Sequence, residues 1–174
     1  MKRYEDALKD FNRAIELENK DSWTIAQRGF THLLLGHYED AVRDFEKPIL
    51  SDPENDWLRY LKSLAYLRLN TLEEALNSLQ QAISLAAQEY EAKPDDYLNA
   101  FNLALYYLVN KNIKEATQLY QETLNSCTDV YYVEMAATDL EDLLEIIPEH
   151  QYAHDVLQTI KSKLTELRSQ SETS

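Results

Sequence analysis

The sequence predicts an all-α protein, a right-handed solenoid of stacked antiparallel helix pairs with about nine helices and no sheet. Three observations carry that prediction. Turn formers are scarce: glycine stands only at Gly29 and Gly36, and proline only at Pro48, Pro53, Pro94 and Pro148. An all-β chain would need many more. Apolar residues recur at helical spacing along nearly the whole chain. And the same pattern returns at a fixed interval of 34 residues.

The repeat is read directly from the residues. YEDALKDFNRAIEL from Tyr4 matches YEDAVRDFEKPIL from Tyr38, so that Ala7 and Ala41 lie 34 apart, as do Phe11 and Phe45. LEEALNSLQQAISL from Leu72 places Ala75 and Leu79 a further 34 residues on. Trp23 and Trp57, in the preceding helices, keep the same interval of 34. IKEATQLYQETL from Ile113 supplies Ala116 and Tyr120, now 41 residues beyond Ala75 and Leu79. A small residue permits close approach of a neighbouring helix, and the aromatic one turn later fills the adjoining gap. A single helix pair buries too little apolar surface to stand alone, so several must stack.

A 34-residue unit with small residues in two facing helices and an aromatic four positions on resembles the tetratricopeptide repeat. Gly29, Ala41, Phe45 and Pro53 match that family's glycine, alanine, aromatic and terminal proline. The third copy departs, with Ser63 for the glycine and Leu79 for the aromatic. The fourth has Leu103, Ala104 and Tyr107 where the family has Leu, Gly and Tyr. The style of WTIAQRGFTHLLLGHYEDAVRDF also resembles repeats in the C-terminal arrays of large bacterial signalling proteins, nucleotide-switch ATPases among them.

Apolar spacing and breakers predict helices near 4–18, 22–35, 38–51, 56–69, 72–92, 96–109, 112–125, 130–146 and 149–168. Asp21 or Ser22 and Asp95 are candidate N-caps. Pro48 lacks a donor and crowds the carbonyl of Asp44, so its helix is expected to kink or stop early. The seven-residue excess before Pro94 equals about two helical turns, so helix 72–92 can lengthen by about 10 Å in phase, as a plain protrusion or as a ledge for a partner with Tyr90 as a candidate contact. The organisation expected is one domain over 1–168: a half repeat 1–21, repeats 22–55, 56–94 and 95–126, capping helices over 127–168, and a disordered tail 169–174. The last helix has an apolar stripe, Val156, Leu157, Ile160, Leu164 and Leu167, and a polar back, as a terminal cap requires. The chain opens in mid-repeat, with Tyr4–Leu17 as the second helix of a pair whose first is missing. A C-terminal piece of a longer array would read this way, and a second copy could cover the incomplete repeat.

Composition narrows the function. The formal net charge is -14, which repels nucleic acid and either keeps a monomer soluble or attracts a basic partner. No apolar run is long enough to span a membrane, and MKRYEDALKD is not a signal peptide. Cys127 is the single cysteine, so no internal disulfide forms and a cytoplasmic location is expected. Two glycines leave no P-loop or dinucleotide fingerprint, and neither HExxH nor paired cysteines occur. No catalytic residue, metal site or cofactor is therefore expected. Cys127 reads as a structural thiol, His150 and His154 as a solvated pair four apart, His32 as a packed residue at the family's tyrosine position, and His37 as a turn residue.

The resemblance implies a protein or peptide partner held in a concave groove lined by the first helix of each pair. The matching positions are Trp23, Gln27, Phe30 and Leu34, then Trp57, Tyr60, Leu64 and Arg68, then Phe101, Asn102 and Leu105. Family members that grip acidic tails use Lys and Asn at such positions. Only Arg68, Asn102 and Gln27 are polar here, so an apolar or amphipathic segment is expected instead, with Lys or Arg beside its anchors. The same aromatic face could equally be internal core. The other function class weighed is a sensor or self-assembly module within a larger signalling protein.

Overall fold

In a computed structural model of the chain, residues 2–17 and 21–171 are described. They form nine α-helices, and no strand occurs among them. The helices are α1 (Lys2–Glu16), α2 (Ser22–Leu34), α3 (Tyr38–Ser51), α4 (Asp56–Arg68), α5 (Leu72–Ala92), α6 (Tyr97–Val109), α7 (Ile113–Ser126), α8 (Val130–Ile146) and α9 (Gln151–Ser171). Residues 169–171, expected as tail, continue α9; 172–174 lie outside the described residues. The chain divides into two compact units, Met1–Leu85 and Ala86–Ser174, with the boundary inside α5.

The pairs α2–α3, α4–α5 and α6–α7 are started and turned by the same local chemistry. The N-caps Asp21, Asn55 and Asp96 accept hydrogen bonds from the backbone N–H of Thr24, Leu58 and Asn99, at 2.8, 3.0 and 3.1 Å. Each satisfies a donor that the first helical turn leaves orphaned. Asp96 caps α6 in place of the expected Asp95, because α6 begins one residue later than its apolar pattern suggests. Between paired helices the backbone turns through a left-handed residue: Gly36 (φ 78), Asn70 (φ 60) and Lys111 (φ 64). One residue further, the N–H groups of His37, Thr71 and Asn112 reach back to the carbonyls of His32, Tyr66 and Tyr107 at 2.9, 3.0 and 2.9 Å. This closes a Schellman turn at each site. Caps and turns thus recur at the repeat interval read from the side chains.

In unit 1, α2 packs on α1, α3 and α4, and α3 also on α4. Ala41 and Phe45 are fully buried, and a Cβ added at Gly29 would stand 2.9 Å from Phe45 Cε1. The small residues therefore set the α2–α3 approach, as their spacing predicts. Pro48 does not stop α3. The helix continues to Ser51, the Asp52 N–H donates to the Pro48 carbonyl at 2.9 Å, and the ring is buried. Burial of the ring offsets the lost backbone bond. The helix α1 is less covered: Leu8, Phe11 and Ile15 are half-buried where Phe45 is sealed.

In unit 2, α6 packs on α7 and α8, α8 on α9, and α7 on α9. Ala104, Ala116 and Tyr120 fill the small and aromatic positions, all buried. Leu157, Ile160, Leu164 and Leu167 of α9 are buried, with its polar residues outward. Lys161 pairs with Glu141 at 2.7 Å and Arg168 with Glu134 at 2.5 Å across α8 and α9. The helix α5 has 21 residues against 14 in α3 and α7, the two extra turns expected.

Candidate functional site

The expected groove residues separate into two groups by burial. Tyr60, Leu64, Phe101 and Leu105 are buried within their units, Tyr60 with only 1% of its surface exposed. Little of their side-chain surface meets solvent in the chain as a whole. On α4, Tyr60 stacks against Trp57 with ring centroids 5.0 Å apart. On α6, Phe101 meets Tyr120 at 6.2 Å. The Phe101–Tyr120 contact crosses from α6 to α7, where apolar area is removed from water.

The α2 residues behave differently. Trp23 is 68% exposed, and Gln27, Phe30 and Leu34 are all partly exposed. Their spacing of four, three and four residues places them on one helical stripe. The core face of α2 is carried instead by Ile25, Ala26, Gly29 and Leu33. At the start of α2, Ser22 Oγ donates to Ser51 Oγ at 3.0 Å, joining this end to the end of α3. Leu50, next to Ser51, is also exposed, so apolar surface flanks that bond on both helices. Arg68 is exposed, donating to the Tyr38 hydroxyl at 3.1 Å with its guanidinium 5.6 Å from the Tyr38 ring centre. Asn102 is half-buried, as are Trp57 on α4 and Tyr90 on α5.

Two polar clusters escaped the sequence reading. On α2 and α3, Arg28 donates twice to Asp44, and His32 Nε2 lies 3.9 Å from the same carboxylate. Burial pushes the His32 imidazole below its ordinary pKa, against the opposing pull of Asp44 and Asp40. On α8, burial and the neighbouring Asp142 raise Asp139 to about 7, while burial with Glu145 and Glu141 raises Asp142 to about 6. Only the (i, i+3) spacing of Asp139 and Asp142 could have signalled the second cluster. Cys127 is buried, its Sγ 3.6 Å from the Asp129 carbonyl, and burial pushes its thiol pKa up. His150 Nδ1 accepts from the Ala153 N–H at 3.2 Å, and His154 Nε2 meets the Pro148 carbonyl at 2.9 Å. That end of α9 is therefore a helix start built with imidazoles.

Tandem helix pairs with small residues at the pair contact define a helical repeat protein of the tetratricopeptide type. The chain resembles, at the level of fold, a thermophilic tetratricopeptide protein from Thermus thermophilus. Identity is 19% and the TM-score 0.56, with 94% of this chain and 91% of that one covered. A tetratricopeptide repeat protein from Parabacteroides merdae is 17% identical with a TM-score of 0.54, covering 97% of this chain and 64% of that one. No curated protein matches the chain in sequence. Residues 3–106 match the bacterial transcriptional activator domain, and the chain belongs to that family. No helix among the described residues is long and apolar enough to cross a membrane.

Proposed function

We propose that this chain is a non-catalytic protein-recognition module of a bacterial transcriptional regulator, and that its ligand is an apolar or amphipathic protein segment laid along α2. The observation that carries this reading is Trp23. Trp23, 68% exposed on a helix whose other side is core, heads an apolar stripe with the partly exposed Phe30 and Leu34, the kind of contiguous patch that marks a protein-binding surface. Gln27, Phe30 and Leu34 continue the stripe and give an amphipathic helix its several anchors. The family assignment supports the setting in a regulator. The net charge of -14 favours a segment with Lys or Arg beside its anchors and opposes direct contact with nucleic acid.

The test uses a display library of amphipathic peptides, with hits titrated against the chain and its Trp23→Ala variant. A peptide bound on this face loses about 1–2 kcal/mol of affinity in the variant, with an unchanged melting temperature. Hits that bind both chains equally place recognition elsewhere. A second reading, self-association, is favoured by the half-buried stripe Leu8, Phe11 and Ile15 of α1. A second copy laid there would make the chain sediment as a dimer, and Phe11→Ser would return it to monomer.

A further inference from the structure

The turn between α2 and α3 carries a group of side chains that its fold does not require. His32 Nδ1 and His37 Nδ1 stand 3.3 Å apart, and a carboxylate oxygen of Asp40 lies within 4.8 Å of both imidazoles' ligating atoms. The two equivalent turns have the same Schellman bonds and the same left-handed residue. In those turns the corresponding residues are Tyr66, Thr71 and Glu74, and Tyr107, Asn112 and Glu115. Tyrosine with threonine or asparagine therefore builds this turn fully.

We propose that His32, His37 and Asp40 form a site for a divalent transition-metal ion of the zinc class. Two nitrogens each about 2.0–2.1 Å from one tetrahedral ion stand about 3.3 Å apart, which is the separation found. Imidazole and carboxylate ligands suit zinc, and water fills the fourth position. The support behind the first ligand is built as well. The other ring nitrogen of His32 faces the buried Asp44 at 3.9 Å, and Arg28 fixes that carboxylate through two contacts of 2.7 Å. At that distance the carboxylate is beyond hydrogen-bond reach, and its charge raises the basicity of the imidazole electrostatically. The Arg28–Asp44 pair is also peculiar to this repeat, with Lys62 and Ser78, and Leu103 and Leu119, at the equivalent places. Arg43 competes for Asp40 at 2.9 Å, but both side chains are well exposed, and such a pair is weak enough to yield. Without the ion, one Nδ1–H donates to the other ring's Nδ1; with it, that ring carries its proton on Nε2, both Nδ1 lone pairs face the ion, and the ion ties the end of α2 to the start of α3.

The experiment titrates zinc chloride into the full chain after treatment with chelator, followed by calorimetry and thermal unfolding. The expected result is one ion per chain, a melting temperature that rises with zinc, and a cobalt-substituted visible spectrum without thiolate charge transfer. Converting this turn to its neighbour's residues, His32→Tyr with His37→Thr, keeps a turn that the same chain already folds at Tyr66 and Thr71. That double variant should unfold cooperatively while its zinc affinity falls by about a hundredfold or more. Asp40→Asn should lower it by about tenfold or more. The site is overturned if the parent chain shows no saturable single-ion binding. It is equally overturned if the double variant binds as the parent does, which would place the ion elsewhere, as at His150 and His154. A failure here leaves the peptide-binding reading of Trp23 standing.

Discussion

Arg28 holds Asp44 by a two-pronged contact, its Nε and a terminal guanidinium nitrogen each 2.7 Å from a different carboxylate oxygen. Their side chains are 23% and 10% exposed, so the pair is largely withdrawn from water and joins α2 to α3 beside Gly29. Two parallel charge-assisted bonds fix orientation as well as energy. The same guanidinium also donates to Asn12 of α1 at 3.0 Å, tying three helices together.

Arg28→Ala should therefore destabilise the chain by about 2–4 kcal/mol, because it strands a buried carboxylate. Arg28→Met with Asp44→Leu should recover much of that loss. Urea unfolding of the two variants measures the difference, and equal losses would mean the pair acts only through packing.

Ala41 is fully buried where α3 meets α2. Ala41→Leu should overpack that contact and cost about 1–3 kcal/mol. An unchanged denaturation midpoint would contradict the assigned register of the repeat.

Tyr60 sits at a groove position of the repeat, but its 1% exposure makes it a packing residue. Tyr60→Ala should cost about 3–5 kcal/mol of stability. Trp23→Ala, by contrast, should stay within about 0.5 kcal/mol of the parent. Thermal unfolding of both checks the division of the groove positions into core and surface.

Asp139 has its pKa raised to about 7, by burial first and by Asp142 second. Asp142 itself is raised by burial and then by Glu145 and Glu141. Burial also raises the Tyr120 hydroxyl, with the Asp139 charge adding to it. A carboxyl that holds its proton more tightly when folded favours the folded state at low pH. That contribution is complete below the ordinary carboxylate value and is lost as pH rises through about 7. Asp139→Asn should thus stabilise the chain by roughly 1–3 kcal/mol above neutrality, with the gain shrinking toward pH ~4. Parallel unfolding curves over that range decide it, and a pH-independent difference would count against it.

The helix α1 packs on α2, and its apolar stripe is only half covered. Segments with little buried apolar surface open first. Amide exchange in a dilute sample should be faster in α1 than in α3, and equal protection in a monomer would refute this.

Much of the fold was legible because it is periodic. The Ala41, Ala75 and Ala116 spacing located the second helices, and the breakers between them bounded the rest to within about two or three residues. Glycine and small residues at Gly29 and Ser63 marked close helix contacts, since only a missing or short side chain fits there.

Burial within the groove positions was a different matter. Trp23 and Trp57 occupy the same repeat position, yet Trp23 is 68% exposed and Trp57 half-buried against Tyr60. Which side chain ends in core depends on what the surrounding helices bring to it, and no local pattern encodes that. Nor could the chain alone show that Arg28, His32 and Asp44 converge, or that His32 and His37 put two nitrogens 3.3 Å apart. Helical periodicity is a property of neighbouring residues and is written along the chain. The meeting of two side chains across a turn is fixed only when the helices pack and their rotamers are chosen together.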